Sequence, residues 1–256
     1  MRNIRGIVAY DGTAFCGWQI QPGMRTVQGE LTEAFRRILG EQLHLIAASR
    51  TDSGVHARGQ TVNIRTQNPL ALDRLLKGIN SGTADDVAVL ALDEVAETFH
   101  STRDALGKHY QYLLWLSEVN DPLLRYWHWW HRYPLDVERM QDAAQHLVGT
   151  RDFRGLQVSS GRPDESSIRS VASVALRREG ARLVIDIHGR SFMYKQVRSM
   201  VGLLMAVGRG RVAVDEVPGL LTGDPARRRS EVAPAQGLTL MQVFYEHPLH
   251  CPVALV

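Results

Sequence analysis

The chain has 256 residues, a formal net charge of +3 and 44% hydrophobic residues, an ordinary soluble composition with length for one large domain or two small ones. No apolar run reaches the length needed to cross a bilayer, and residues 1–5 lead straight into a strand-like pattern without a signal-peptide core. Two distant cysteines, Cys16 and Cys251, lack CxxC spacing and indicate neither a zinc site nor a disulfide framework, so a reducing cytoplasmic location is expected.

Ile4 to Tyr10 reads as a strand, ended by the turn Asp11-Gly12-Thr13. Thr26 caps a helix over residues 27–39, since Val27, Leu31, Ala34, Phe35 and Ile38 share one face, and Gly40 stops it. Leu43 to Ala48 and Thr61 to Ile64 are expected strands flanking a polar turn. A short helix over Leu70 to Ile79 and a strand over Val87 to Leu92 follow. The order is strand, helix, strand, strand, helix, strand.

A similar succession returns after residue 100. His109 to Leu116 is a strand, and Asp136 caps a helix through Leu147. Leu183, Ile185 and Ile187 alternate with Val184, Asp186 and His188 as a half-buried strand should. Val197, Met200, Val201, Leu204 and Val207 mark a helix ended by Gly208, and Leu240 to Tyr245 is a closing strand. Two α+β halves of related order predict two ferredoxin-like, split-βαβ units whose sheets could join, although no sequence repeat is visible. The expected domains are residues 1–103 and 104–246, followed by a tail over 247–256.

The most informative stretch is the polar turn Ser49-Arg50-Thr51-Asp52-Ser53-Gly54-Val55-His56-Ala57. Asp52 lies two residues from Arg50 among small neighbours, and a carboxylate beside a guanidinium stays ionised. Such a turn presents a nucleophile or base to a close-fitting substrate. Taken alone, it reads first as an Asx-turn with Arg50 a surface cation. Of the 30 basic residues only Lys77, Lys108 and Lys195 are lysine, leaving 27 arginines. Arg36-Arg37, Arg177-Arg178 and Arg227-Arg228-Arg229 read as solvated faces. Acidic residues thin out around Arg50 to Arg65 and Arg190 to Arg211, where a phosphate-tracking surface is expected.

Six segments, in order, resemble the TruA family of tRNA pseudouridine synthases. They are Tyr10-Asp11-Gly12-Thr13-Ala14-Phe15-Cys16-Gly17-Trp18-Gln19; Thr26-Val27-Gln28-Gly29-Glu30-Leu31; the Asp52 turn; Phe99-His100 with Lys108-His109-Tyr110-Gln111-Tyr112; Ser191 to Arg198 leading to Val201-Gly202 and Val207-Gly208-Arg209-Gly210; and Ala233-Pro234-Ala235-Gln236-Gly237-Leu238. The resemblance spans roughly residues 4 to 245. It implies two α+β domains sharing a central antiparallel sheet, with a basic cleft between them. It further implies isomerisation of uridine to pseudouridine at tRNA positions 38, 39 and 40, no cofactor or metal, and a homodimer in which both subunits touch one tRNA.

By the same resemblance Asp52 is the catalytic aspartate, either attacking C1′ or deprotonating C2′. Tyr110 is the active-site tyrosine, stacking on the turned uracil or helping to remove the C5 proton. The base role demands a cation or relaying water, because a phenol's pKa is about 10. Arg198 is the arginine that pairs with the aspartate, and Arg50 holds the flipped-out space in the stem. From the residues alone, Tyr110 reads first as a strand aromatic packed on its sheet. Arg198 is equally an arginine with its stem on apolar surface and its head in water, and Arg50 an ordinary phosphate contact. Tyr112 shares the Tyr110 face by period two, as a core residue or secondary candidate.

Some positions depart from the family pattern: Phe99-His100 is followed by Ser101-Thr102-Arg103, where the family usually carries alanine-arginine-phenylalanine, Met193 and Gln196 replace more usual leucine and methionine, and Ser53 commonly reads as alanine. Trp127-His128-Trp129-Trp130-His131 is read as an aromatic strand edge rather than a metal site. Two other classes remain open: a non-catalytic α+β RNA-binding module, and a hydrolase that uses Asp52 to release free uracil. A pseudouridine synthase acting on another RNA is the nearest variant.

Overall fold

The computed structural model describes residues 1–159, 166–227 and 229–249. Cys251 and most of the expected tail lie outside them, as does Arg228 of the triple-arginine run. The protein is α+β and divides into two compact units, Met1–Leu106 with Thr239–Val256, and Gly107–Leu238. The closing strand therefore counts with the first unit, whereas the sequence reading kept it with the second. Among the described residues no helix is long and apolar enough to cross a membrane.

The first unit runs β1 (Arg2–Tyr10), α1 (Val27–Leu39), β2 (Ile46–Ala47), β3 (His56–Thr66), α2 (Leu72–Gly82) and β4 (Val87–Val95), in the expected order. β1 pairs antiparallel with β3 and β4, and β2 with β3. The sheet order 4-1-3-2, all antiparallel, is the split-βαβ arrangement that the sequence suggested. β10 (Leu238–Phe244) joins β3 in parallel, Thr239 opposite His56. Thr26 accepts the Gly29 amide at 3.3 Å, and Gly40 ends α1 with φ 71°, as its left-handed position requires of glycine.

The core of this unit holds Ile4, Val8, Leu31, Phe35, Val62, Ile64, Leu75 and Ile79, all essentially inaccessible. Segment 96–104 is held by buried polar groups. The Asn3 amide donates to the Ala96 and Phe99 carbonyls at 3.0 and 2.9 Å, and the Ser101 amide to Asn63 Oδ1 at 3.0 Å. Tyr245 donates to the Ser101 carbonyl at 2.5 Å. β3 extends well beyond the predicted Thr61 to Ile64 because His56, Gln60 and Thr66 are buried within it, and polar interior residues hide a strand from a hydrophobic reading. β2 is only two residues long, against an expected Leu43 to Ala48, and side chains take the backbone groups on and beside it. The Leu45 carbonyl accepts from Gln28 Nε2 at 3.0 Å, and the Ile46 and Ala47 carbonyls accept from the Ser101 and Thr102 hydroxyls at 3.1 and 2.7 Å.

The second unit runs β5 (Gly107–Leu116), β6 (Trp129–His131), α3 (Val137–Gln145), β7 (Gly149–Asp152), β8 (Ile168–Glu179), β9 (Arg182–Gly189), α4 (Gln196–Gly208) and α5 (Val217–Thr222). Antiparallel pairing gives the order β5-β9-β8-β7, with β6 parallel to β5. In β5-α3-β8-β9-α4 the strands lie 1-3-2, the first unit's arrangement over three of its four strands. Asp136 caps α3 by accepting the Arg139 amide at 3.0 Å. α4 ends at Gly208 as expected, where a Cβ would lie 2.6 Å from Met140 Sδ. The turn falls at Gly210, φ 70°. β8 escapes the sequence reading because few of its residues are buried.

The pKa values of His128, His131 and His188 are held below the usual 6.5, first by desolvation; Arg209 adds to this at His131 and stacked His109 at His188. A depressed imidazole pKa means that the folded chain binds the proton less well than the unfolded chain. Stability is then full above the unfolded pKa and falls as pH drops through it. We expect the thermal midpoint to decline between about pH 6.5 and 5, above the carboxylate range; a flat midpoint across that window would contradict the burial of these rings.

Candidate active site

In the first unit the Asp52 turn joins β2 to β3 and is held from outside. The Trp18 amide donates to the Thr51 carbonyl at 3.0 Å, and the Val55 amide closes back on the Asp52 carbonyl at 3.1 Å. Tyr10 and Thr51 share a hydroxyl hydrogen bond of 2.8 Å, and Ser53 Oγ donates to the Phe15 carbonyl at 3.0 Å. At the entry to the turn, Gln60 brackets Ser49, accepting its amide at 3.2 Å and donating to its carbonyl at 2.7 Å. Asp52 is left half-buried and Arg50 exposed.

Two glycines make this clamp possible. Gly17 has φ 84°, and a Cβ there would lie 2.8 Å from the Thr51 carbonyl oxygen. Gly12 passes so close to the Val55 carbonyl that no side chain fits. Gly54, φ 79°, lets the turn itself reverse. Behind the clamp, buried Gln28 ties the same loop to β2, accepting the Ile20 amide at 3.1 Å while donating to Leu45. The first three motif segments are thus one structural device around Asp52. His56 Nδ1 lies 3.0 Å from the Gly12 amide and 3.1 Å from Asp11 Oδ1. One ring nitrogen cannot accept from the first and donate to the second, so the two contacts belong to alternative protonation states.

In the second unit Tyr110 is 6% exposed on β5, opposite Ile187, and its ring meets Phe192 edge-on at 5.4 Å. Tyr112 is a core residue. Its hydroxyl donates to the Pro234 carbonyl at 2.8 Å, and burial pushes its pKa well above the phenol range, with the Arg198 charge opposing. Gly237 lies against that ring, where a Cβ would come within 2.5 Å of Cζ.

α4 is buried all round, and Arg198 alone of its residues is not. The apolar surface beside Arg198 does not face water, because segment 231–233 covers α4 across Gly202. Arg198 holds that segment twice, Nε donating to the Ala233 carbonyl at 2.7 Å and its own carbonyl accepting the Ala233 amide at 3.1 Å. Ala233 and Pro234 therefore link Arg198 to Tyr112. Just ahead of the helix Lys195 takes φ 58°, alone among the described non-glycine residues in the left-handed region, a strained conformation of the sort that marks functional turns.

Within single units, then, Asp52 and Arg50 belong to one turn, and Tyr110 and Arg198 flank Tyr112 in the other. The supporting roles of Gly17, Gln60 and Phe192 were not read from the sequence; two glycines spaced around Phe15 and Cys16 were the available signal. Ser101 and Thr102 are taken up in holding β2, leaving Arg103 exposed. Trp129 to His131 is the short strand on β5, while His128 bonds Asn120 at 2.7 Å and His131 faces Arg209 at 3.4 Å. Of the arginine runs, Arg36 and Arg37 both pair with Glu33, and Arg177 with Glu179.

The family described as tRNA pseudouridine synthase matches residues 7–103 and 143–246. The chain is 40% identical over 245 residues to a protein named tRNA pseudouridine synthase A from Acetivibrio thermocellus, covering 96% of this chain and all of that one. Proteins of the same name from Geotalea daltonii and Citrifermentans bemidjiense are 39% and 40% identical, again over 96% of this chain and 100% and 98% of theirs.

We expect Gly17→Ala to destabilise the protein by about 1–3 kcal/mol, the cost of a strained backbone residue, and to speed hydrogen exchange at the Trp18 and Val55 amides. Unchanged exchange at both would show that the Asp52 turn holds without the clamp.

Proposed function

The chain belongs to the tRNA pseudouridine synthase family, and from that premise we propose that it acts on uridines 38, 39 and 40 of the tRNA anticodon stem-loop, in the cytoplasm and as a homodimer. The protein is an isomerase that converts uridine in tRNA to pseudouridine. The reaction breaks the bond from C1′ to uracil N1, turns the base and rejoins it through C5. No atom is gained or lost, so the balance needs neither redox partner nor cofactor. The base must first leave its stack, at a cost of a few kcal/mol.

In this reading Asp52 supplies the carboxylate at the sugar, as nucleophile at C1′ or base at C2′; a covalent carboxylate adduct has precedent in retaining glycosidases. Tyr110 faces the turned uracil. Arg198 keeps the carboxylate charged and oriented, and Arg50 fills the space that the extruded nucleotide leaves. The observation that carries the reading is the construction of the Asp52 turn. A half-buried carboxylate sits on a backbone pinned by Trp18, Tyr10 and Gln60, which is the preorganisation that close attack on a sugar carbon demands. Arg58 and Arg65, exposed on β3 beyond that turn, support a phosphate-tracking surface.

Asp52→Asn is expected to abolish turnover while leaving tRNA affinity within about twofold, since it removes a charge used in chemistry rather than in binding. Carbodiimide labelling and primer extension on an unmodified tRNA transcript read this directly: stops in the anticodon stem-loop with wild type alone support the reading. Equal loss of affinity and rate would remove Asp52 from the chemistry. Wild-type binding without stops would favour the binding-module class, and release of free uracil the hydrolase. Binding should also weaken steeply between 50 and 200 mM salt, by about a factor of ten or more if several arginines meet phosphates; a flat response would argue against the arginine surface.

A further inference from the structure

For Tyr110 to take the C5 proton, as the pseudouridine reading requires of a base, its hydroxyl must become more acidic than a free phenol of pKa about 10. A neighbouring cation is the direct means. Lys108 stands two residues before Tyr110 on β5, so both side chains leave the same face of the strand, on the order of 7 Å apart along the backbone. A four-carbon stem carrying a compact ammonium spans that gap.

Across the ladder Lys108 lies opposite Gly189. That glycine leaves its place on the sheet to Phe192, whose Cζ would be 2.7 Å from a Cβ. The same ring stands edge-on to Tyr110, at an interplanar angle of 87°. Lys108, Tyr110 and Phe192 thus share one face at one corner of the second unit, the lysine and tyrosine stems leaving β5 two residues apart and the apolar ring packed against the phenol. The surroundings mark Lys108 itself: the residue is half-buried, and desolvation draws its pKa from 10.5 down to about 8. It is still mostly cationic at neutral pH. A poorly hydrated ammonium acts on its neighbour through a lower effective dielectric than a solvated one.

We propose that Lys108 is a positioning residue for Tyr110, its ammonium holding and acidifying the tyrosine hydroxyl so that the oxygen can remove the proton from C5. The step follows formation of the C1′–C5 bond. The C5–H bond breaks, its electron pair restores the C5=C6 double bond, and the proton passes to the Tyr110 phenolate oxygen. The proton that Tyr110 shed earlier is matched by the one that N1 takes up, so the base leaves as an isomer and the lysine is unchanged. The inference rests on the pseudouridine reading and adds to it a residue outside the set Asp52, Tyr110, Arg198 and Arg50.

The test follows tritium release from tRNA transcripts carrying [5-³H]uridine, paired with transcripts deuterated at C5, for wild type, Lys108→Met and Lys108→Arg. Lys108→Met keeps the stem without the charge. It should bind tRNA as the wild type does but release tritium about 100-fold more slowly, the scale of an impaired general base. Its C5 deuterium isotope effect should exceed that of the wild type, because proton removal becomes the slow step. Lys108→Arg, which keeps the charge, should recover most of the loss. A merely structural role would slow all steps together and leave the isotope effect at its wild-type value. That result, or a Lys108→Met enzyme as fast as wild type, overturns the proposal. Because the isotope effect is a ratio, it reads on whatever fraction of a poorly folding variant remains. A wild type that releases no tritium would instead sink the pseudouridine reading itself, an outcome distinct from equal release by wild type and Lys108→Met.

Discussion

The hydrogen bond from the Trp18 amide to the Thr51 carbonyl is the contact on which the Asp52 turn depends. Fixing each residue of a turn costs about 1–2 kcal/mol of backbone entropy, while a single hydrogen bond contributes about 1 kcal/mol net. A turn this polar cannot hold itself in one conformation. It is held because the loop after β1 lies directly on it, and the loop can lie there only because residues 12 and 17 have no side chains. Tyr10, Ser53 and Gln60 then add their bonds to a backbone already in place. Asp52 owes its fixed position to residues from other segments of the chain.

The second unit solves a different problem. A cation on a helix that is buried everywhere else is costly to desolvate unless it is hydrogen-bonded. Arg198 meets that requirement by donating to the Ala233 carbonyl, and the same stretch of chain accepts the Tyr112 hydroxyl at Pro234. Ala233-Pro234 thereby keeps helix α4 and strand β5 in register with each other. The aromatic corner of Tyr110 and Phe192 is built at the end of that frame.

Much of this was legible in the sequence, and the exceptions share a cause. Helices with an apolar stripe and a side-chain cap, α1 after Thr26 and α3 after Asp136, fell where their spacing put them. The failures came where backbone groups are taken by side chains. β2 is short where Gln28 takes the Leu45 carbonyl and Gln60 both backbone groups of Ser49, β3 hides behind buried His56, Gln60 and Thr66, and β8 loses its alternation at a bulge between Val171 and Ser173. Asp52, Tyr110 and Arg198 were found through resemblance, since an acid in a turn, a tyrosine in a strand and an arginine in a helix are each commonplace alone. The chain-wide match at about 40% identity supports the family and the reaction. What no spacing revealed was the company each residue keeps, such as Phe192 filling the place above Gly189.

The interlocking of the β1 loop with the Asp52 turn also limits how such chains can be recombined. Residues 10–31 and 49–60 meet backbone to backbone, with clearances set by absent Cβ atoms rather than by adjustable side chains. A crossover between two related sequences that separated these stretches would join a loop from one parent to a turn from the other, with no flexible group to absorb the mismatch. The two stretches should therefore pass together through any shuffled library as a single inherited block, despite the seventeen or so residues between them.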